Sequence, residues 1–146
     1  MKLFELGSLQ WTVLAVCDHR GSCPVLDELK RLGTSNPSAM RILRDLRQGI
    51  PERGPDYRNK EKVKKLKGCG DIYELREQPT RGPKPRVLFF KDDDNTVICT
   101  SAFAKREDIP KDLIRKAEKI KAQYFYDKQS GNNQIIRLPV SNDNEN

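Results

Sequence analysis

The sequence has few of the side chains on which most enzyme active sites depend. It contains one histidine and four cysteines in 146 residues, and aromatic residues make up only 7%. The cysteines form no CxxC pair, and no HxxxH spacing is present, so neither a zinc site nor a disulfide framework is indicated. The motifs GxSxG, GxGxxG, HExxH and the P-loop are also absent, which leaves serine hydrolases, dinucleotide enzymes, zinc proteases and NTPases without support. Any chemistry must come from Lys, Arg, Tyr and carboxylate groups.

Long hydrophobic runs are missing as well. No stretch approaches the roughly 18 consecutive apolar residues that a membrane span needs. The first residues, MKLFELGSLQW, are too short and too polar for the apolar part of a signal peptide. We therefore expect a cytoplasmic protein with free thiols, no membrane contact and no small-molecule cofactor.

What the chain does have is positive charge in one place. It carries 28 Lys and Arg against 21 Asp and Glu, a formal net charge of +7. Residues 58–91 alone contain eleven basic and four acidic side chains, so this segment accounts for the whole excess. Concentrated positive charge inside an otherwise neutral domain is typical of a protein that binds a polyanion. A solvated Lys-rich loop is the alternative for residues 58–67.

The hydrophobic pattern predicts a single domain of the α+β class. A strand over residues 11–16 precedes two short amphipathic helices that begin at Pro24 and Pro37 and form a helical hairpin. After a surface loop at 51–59, short apolar runs at 63–66, 72–75, 87–90 and 96–103 predict an antiparallel meander, and a last helix begins near residue 110. We expect one small antiparallel sheet with the helices on one face. The predicted domain covers residues 1–126, and a polar, mobile tail covers 127–146.

Basic residues recur at the ends of the predicted strands. Arg76 ends the run DIYELR, Arg86 opens RVLFF, and Lys105 and Arg106 follow AFA. In a strand, Glu74 and Arg76 share one face while Tyr73 and Leu75 share the other. Three strands that deliver basic groups to one concave face would bind phosphate on the surface of a cleft. The alternative is that Arg76 only pairs with Glu74 or Glu77.

Several of these segments carry a resemblance to a known family. The runs QWTVLAVCDHRGSCPVLDELKRL, VKKLKGCGDIYELR, RVLFF and AFAKREDIPKDLIRKAEKIK occur in an order that resembles the HigB branch of the RelE-like toxins, which includes phage-derived relatives. The resemblance spans about residues 10–125. It implies a RelE-like fold and the toxin of a type II toxin–antitoxin pair. Such a toxin is a metal-independent endoribonuclease (mRNA interferase) that cleaves mRNA in the ribosomal A site, inhibits translation and is neutralised by a helix-turn-helix antitoxin.

The resemblance also implies roles for individual residues. Arg76, Arg86, Lys105 and Arg106 match the family's catalytic cations, while Lys64, Lys65, Lys67 and Tyr73 would bind RNA. The cleavage would proceed by attack of a ribose 2′-OH on the adjacent phosphate, with the negative charge stabilised by fixed cations.

The general acid and base stay open, because some family members use a histidine or tyrosine near the last helix and this chain has no histidine after His19. Tyr73, Tyr124 and Tyr126 are the candidates. Two other functions also remain: a noncatalytic nucleic-acid-binding regulator of phage or plasmid origin, and an inactive relic that serves as an interaction module.

Overall fold

The computed structural model describes residues 1–57, 62–78, 81–106 and 108–137. The end of the predicted loop at 51–59 and the predicted tail from residue 138 onward lie outside these residues. These residues form seven strands and three main helices, together with a single-turn helix, α3. In chain order they are β1 (Lys2–Ser8), β2 (Thr12–Val16), α1 (Pro24–Gly33), α2 (Pro37–Arg44), α3 (Ile50–Arg53), β3 (Val63–Lys65), β4 (Tyr73–Arg76), β5 (Lys84–Asp92), β6 (Thr96–Lys105), α4 (Lys111–Gln129) and β7 (Gln134–Ile136).

All seven strands form one mixed sheet in the order β3-β4-β5-β6-β2-β1-β7. The predicted meander from β3 to β6 is confirmed as antiparallel, and the turn after Asp92 places Asn95 at φ 59°, a conformation that Asn tolerates. The pairs β2–β6 and β1–β7, however, are parallel. The expectation of a purely antiparallel sheet is therefore wrong, because the N-terminal and C-terminal segments join it at the second edge.

The N-terminus is a β-hairpin and not a helical hairpin. Strand β1, which the sequence analysis did not predict, pairs antiparallel with β2 and has a bulge between Glu5 and Gly7. A side chain at Gly7 would place its Cβ 2.5 Å from the carbonyl oxygen of Arg47, so glycine permits this close approach. The two predicted helices do occur, as α1 and α2, but they follow the hairpin. The predicted loop also begins with helical turns, and Pro51 and Pro55 in it are buried.

The helices cover both faces of the sheet. Buried residues of α1 and α2 pack on the face that carries Val13, Leu75, Val87 and Phe89. On the opposite face, α4 packs against residues that include Leu14, Leu88, Phe90 and Ile98. The strands β2, β5 and β6 therefore read as nearly continuous apolar runs, and the expectation of helices on a single face is wrong.

The sequence explains where the helices begin. Pro24 and Pro37 take first helical positions, where the missing N–H has no partner to lose. The Asn36 side chain caps α2 by accepting a hydrogen bond from the Ser38 backbone N–H at 3.0 Å. After α2 the chain makes a π turn over Asp45–Gly49 before α3. No helix in the described part of the chain is long and apolar enough to span a membrane.

Candidate nucleic-acid interface

Three of the four predicted catalytic cations, Arg76, Arg86 and Lys105, lie on neighbouring strands at one end of the sheet, and Arg106 directly follows β6. Arg76 of β4 is directly opposite Arg86 of β5, and Lys84 of β5 is directly opposite Lys105 of β6. Because side chains alternate along a strand, these four residues share the sheet face on which α4 packs. The sequence prediction that three strands bring basic groups to one face therefore agrees with the register.

Arg86 is almost completely enclosed, with only 2% of its surface exposed. Its Nη1 donates hydrogen bonds to the carbonyl oxygens of Glu77, at 2.9 Å, and Pro85, at 2.8 Å. Its Nη2 donates to Oε1 of Gln78 at 3.2 Å, and its Nε lies 3.7 Å from Oε1 of Glu74. The guanidinium thus links Glu77 and Gln78, which follow β4, to strand β5.

This burial contradicts the expectation that Arg86 lies on the surface of a cleft. Desolvation lowers the pKa of Arg86, and the neighbouring guanidinium of Arg76 lowers it further, while Glu74 raises it. An arginine nevertheless stays protonated in a protein, so Glu74 faces a permanent cation. In this structure Arg86 holds the β4–β5 connection in place and has almost no exposed surface with which to contact a phosphate.

Arg76 occupies a more open position. Its side chain is 24% exposed, and its Nε lies 3.5 Å from Oε1 of Glu74, so the alternative in which Arg76 pairs with Glu74 agrees with the structure. One carboxylate oxygen is therefore shared by two guanidinium groups. Oε2 of Glu74 and Oγ of Ser101 are buried without a hydrogen-bond partner in the described part of the chain.

Lys105 and Arg106 line a cavity of about 480 Å³ at the ends of β5 and β6. Its other walls are formed by Arg31, Leu32, Gly82, Pro83, Lys84 and Ala104. Four cations thus surround one cavity, and no acidic side chain lines it among the residues that the structure describes. Arg31 pairs with Glu28, whereas Lys84, Lys105 and Arg106 form no ion pair within the described ranges.

Without a bound anion, this arrangement of cations is electrostatically unfavourable. Like charges directly opposite each other on antiparallel strands repel, and here Lys84 faces Lys105. Glu74 offsets the repulsion between Arg76 and Arg86, whereas no carboxylate pairs with either lysine among the residues that the structure describes. An external anion would remove the repulsion, so the cavity has the electrostatics of a phosphate site.

The predicted RNA-binding residues are divided between the two sheet faces. Lys64 is exposed and lies opposite Glu74, on the face of the arginines, while Lys65 lies opposite Tyr73 on the other face. Tyr73 stacks on Phe89 with ring centroids 5.4 Å apart. Lys65 pairs with Asp71 at 2.8 Å, and this pair raises the pKa of Lys65. The structure therefore brings Lys64 to the candidate face but not Lys65 or Tyr73.

Lys67 lines a separate cavity of about 230 Å³ between the β3–β4 connection and α4. Lys111 and Arg115 contribute two further cations there, and Glu118 contributes a carboxylate. This second group of cations lies beside the N-terminal half of α4, away from the cavity that Lys105 lines.

The tyrosines considered as acid–base groups do not line the Lys105 cavity in the described part of the chain. The Tyr124 hydroxyl donates to Oδ2 of Asp92 at 2.7 Å, and burial followed by this contact raises the pKa of Tyr124. Asp92 ends β5, eight residues from Lys84, or about 27 Å along an extended strand. Tyr126 is exposed on α4.

Two residues at the cavity were missed by the sequence analysis. Lys84 was counted only as part of the basic segment, and its position opposite Lys105 depends on the β5–β6 register. Arg31 lies on the polar side of α1, far away in sequence, and no local signal distinguishes it from Lys30 beside it.

No group of three or more His, Cys, Asp or Glu residues within the described ranges could hold a metal ion. The four cysteines are free thiols, and burial raises the pKa of Cys23 to about 11, so this thiol is unreactive at neutral pH.

Comparison with known proteins agrees with a phage-derived origin. Residues 27–122 match the family described as "Phage derived protein Gp49-like (DUF891)", and this region includes all the predicted site residues. A search of curated proteins found no match to the chain. Since the match covers more than half of the sequence, the chain belongs to the Gp49-like phage-derived family, which is part of the RelE/HigB-like group associated with toxin–antitoxin systems.

Proposed function

We propose that this protein is the toxin of a type II toxin–antitoxin pair, of the HigB type, and that it cleaves mRNA on the ribosome. Membership of the Gp49-like family supports the toxin–antitoxin association. The single observation that carries the nuclease proposal is the lysine pair Lys84–Lys105, which faces a cavity with Arg106 and no neutralising carboxylate in the described residues. RNA supplies the missing negative charge.

In the proposed reaction a ribose 2′-oxygen attacks the adjacent phosphorus. The O2′–P bond forms, the P–O5′ bond breaks, and the proton that the 2′-hydroxyl loses is balanced by one that O5′ gains. One product therefore ends in a 2′,3′-cyclic phosphate and the other begins with a 5′-hydroxyl. Negative charge increases on the phosphoryl oxygens in the transition state, and fixed cations lower the barrier. Lys105 and Arg106 are proposed to contact this phosphate directly, and no metal ion is required.

Arg76 and Arg86 have different proposed roles. Arg76 is partly exposed on the same sheet face and contacts the RNA backbone. Arg86 is buried and acts through Glu74, which contacts both guanidinium groups. Arg86 is thus a positioning residue for Arg76, and Lys64 and Lys67 are proposed to contact the RNA backbone further along the surface.

The proposed partner is a helix-turn-helix antitoxin that binds this protein and keeps it inactive until translation is to be inhibited. A basic surface predicts that the antitoxin segment that covers it carries acidic side chains. A cytoplasmic location is part of the same proposal, because the proposed substrate is mRNA on the ribosome.

The proposal is tested by tightly regulated expression of the wild type, Lys105→Ala and Lys116→Ala. Lys116 is an exposed cation on α4 outside the cavity and serves as the charge-matched control. We expect growth arrest, and new 5′ ends in a translated reporter message, with the wild type and Lys116→Ala. Loss of one transition-state cation should reduce cleavage about 100-fold or more in Lys105→Ala.

The noncatalytic regulator predicts different results. A folded wild-type protein that binds RNA but leaves growth and the message unaffected would overturn the nuclease proposal in favour of that regulator. Equal cleavage by Lys105→Ala and the wild type would show that the lysine pair is not the reactive site.

A further inference from the structure

We propose that the cavity at the ends of β5 and β6 is a subsite for one RNA nucleotide, with its phosphate between Lys84 and Lys105 and with Arg31 of α1 as an additional RNA-binding residue. This inference rests on the proposed function and extends it from the α4 face of the sheet to the C-terminal end of α1. Lys84 lies outside the motifs that suggested the nuclease, and Arg31 lies in the first of them but has no role assigned there.

The wall of the cavity opposite β6 is fixed before any ligand arrives. Gly82 adopts a φ of +83°, which L side chains rarely adopt, and the carbonyl of Pro83 accepts a hydrogen bond from Nδ2 of Asn36 at 2.7 Å. Asn36 is itself only 5% exposed and also caps α2. A buried side chain thus attaches the β4–β5 connection to the helices, and a preformed wall reduces the entropy lost on binding.

The size and the lining of the cavity suit a nucleotide. Its volume of about 480 Å³ falls within the range of small-ligand sites. Leu32, Pro83 and Ala104 offer apolar surface against which a base or ribose can lie, while Lys84 and Lys105 offer the charge that a phosphate needs. The separate cavity beside Lys67 contains a carboxylate, Glu118, and is less suited to an anion.

Arg31 is held at the cavity by its own helix. Its Nε donates a hydrogen bond to Oε1 of Glu28, one turn earlier in α1, at 2.6 Å. Its Nη2 contacts the same oxygen, so the ion pair occupies one side of the guanidinium. The Nη1 side makes no hydrogen bond within the described residues and can donate to a phosphate oxygen.

The neighbouring residue provides a matched control. Lys30 lies on the same helix, is exposed, carries the same charge and does not line the cavity. Binding of a short fluorescent single-stranded RNA with 2′-O-methyl riboses, which prevent cleavage, is measured for the wild type, Arg31→Ala, Lys84→Ala and Lys30→Ala. We expect Arg31→Ala and Lys84→Ala each to weaken binding about tenfold and to reduce the slope of log affinity against log salt by about 0.7. Lys30→Ala should stay within about twofold of the wild type.

A second measurement locates the ligand. Uridine 3′-monophosphate is titrated into isotope-labelled protein, and we expect amide resonances of Leu32, Gly82 and Ala104 to shift in the wild type but not in Lys84→Ala. Absence of these shifts, or equal RNA affinity for Arg31→Ala and Lys30→Ala, would overturn the subsite. Cleavage that depends on Lys105 would then still support the nuclease. Shifts at the cavity without cleavage by any variant would support the subsite and overturn the nuclease.

Discussion

At the residue scale, Arg86 is a buried cation whose guanidinium hydrogen-bonds to groups of the protein itself. Its guanidinium satisfies two carbonyl oxygens and lies beside Glu74 in a place that is only 2% exposed. Arg86→Met removes the cation and leaves Glu74 buried without it, so we expect a loss of about 3–5 kcal/mol in the free energy of unfolding. Urea titration followed by circular dichroism measures this loss.

The control for this prediction is Arg106→Met. Arg106 is exposed at the cavity, so its substitution should change the free energy of unfolding by no more than about 0.5 kcal/mol while it weakens RNA binding. An Arg86→Met protein as stable as the wild type would contradict a positioning role and return Arg86 to the group of direct RNA contacts.

The sequence could predict which residues share a face here, but not how deeply they lie. Strand alternation correctly places Glu74 and Arg76 together, because it depends only on local backbone geometry. The burial of Arg86 depends instead on Glu77 and Gln78, which follow β4 and accept hydrogen bonds from its guanidinium, and nothing in PRVLFF indicates this. Arg31 was missed for the same reason, since tertiary packing alone brings α1 to the ends of β5 and β6.

At the element scale, a buried carboxylate attaches α4 to the β5–β6 hairpin. Asp92, 5% exposed, accepts hydrogen bonds from Tyr124 at 2.7 Å and from Lys128 at 2.9 Å. Burial by itself would raise the pKa of Asp92, but these hydrogen bonds outweigh it and hold the pKa below the ordinary value of 3.8. Because the folded-state pKa is lowered, the contact stabilises the fold above about pH 4 and is lost as the pH falls through the folded-state value.

Asp92→Asn tests this attachment. We expect it to lower the free energy of unfolding by about 2 kcal/mol near neutral pH, since it removes the charge from two hydrogen bonds. The difference from the wild type should shrink as the pH falls through the lowered folded-state pKa of Asp92, because the wild-type carboxylate then becomes protonated. Asp93→Asn, at an exposed turn position beside it, is the control and should follow the wild type at every pH. A constant difference across the pH range would show that Asp92 acts through packing alone.

Elements with a strong local pattern could be predicted from the sequence, and elements made by long-range pairing could not. Helices α1, α2 and α4 carry apolar residues at helical spacing, and β4 to β6 connect through turns, so each has a signal within its own segment. Strand β1 is mostly half-buried and gains its partners from β2 and, through a parallel pair, from β7. Its apolar pattern is therefore weak. The parallel pairing of β2 with β6 has no signal in the sequence of either strand.

At the scale of the whole molecule, several lysines form ion pairs with carboxylates of the same chain. Lys62 pairs with Glu77, Lys65 with Asp71 and Lys128 with Asp92 and Asp94, whereas Lys84, Lys105 and Arg106 have no ion-pair partner among the described residues. The formal net charge of +7 is therefore not distributed evenly over the surface. Lys84, Lys105 and Arg106 lie together at the ends of β5 and β6, and there they can attract a polyanion.

This concentration predicts the salt dependence of RNA binding by the intact protein. If the four cations that line the cavity each contact a phosphate, they should contribute about −2.8 to the slope of log affinity against log salt, which alone is about a 50-fold loss of affinity between 50 and 200 mM salt. Removal of two contacts in Lys84→Ala/Lys105→Ala should reduce that contribution to about −1.4, or about a sevenfold loss.

The charge-matched control for the double variant is Lys30→Ala/Lys116→Ala, which lowers the net charge by the same amount at exposed positions outside the cavity. We expect it to keep the wild-type slope, because the counterions released on binding come from contacts with phosphate and not from net charge at a distance. Fluorescence anisotropy titrations at a series of salt concentrations give both slopes. Equal reductions in the two double variants would mean that RNA responds to a diffuse field and that the ends of β5 and β6 form no discrete site.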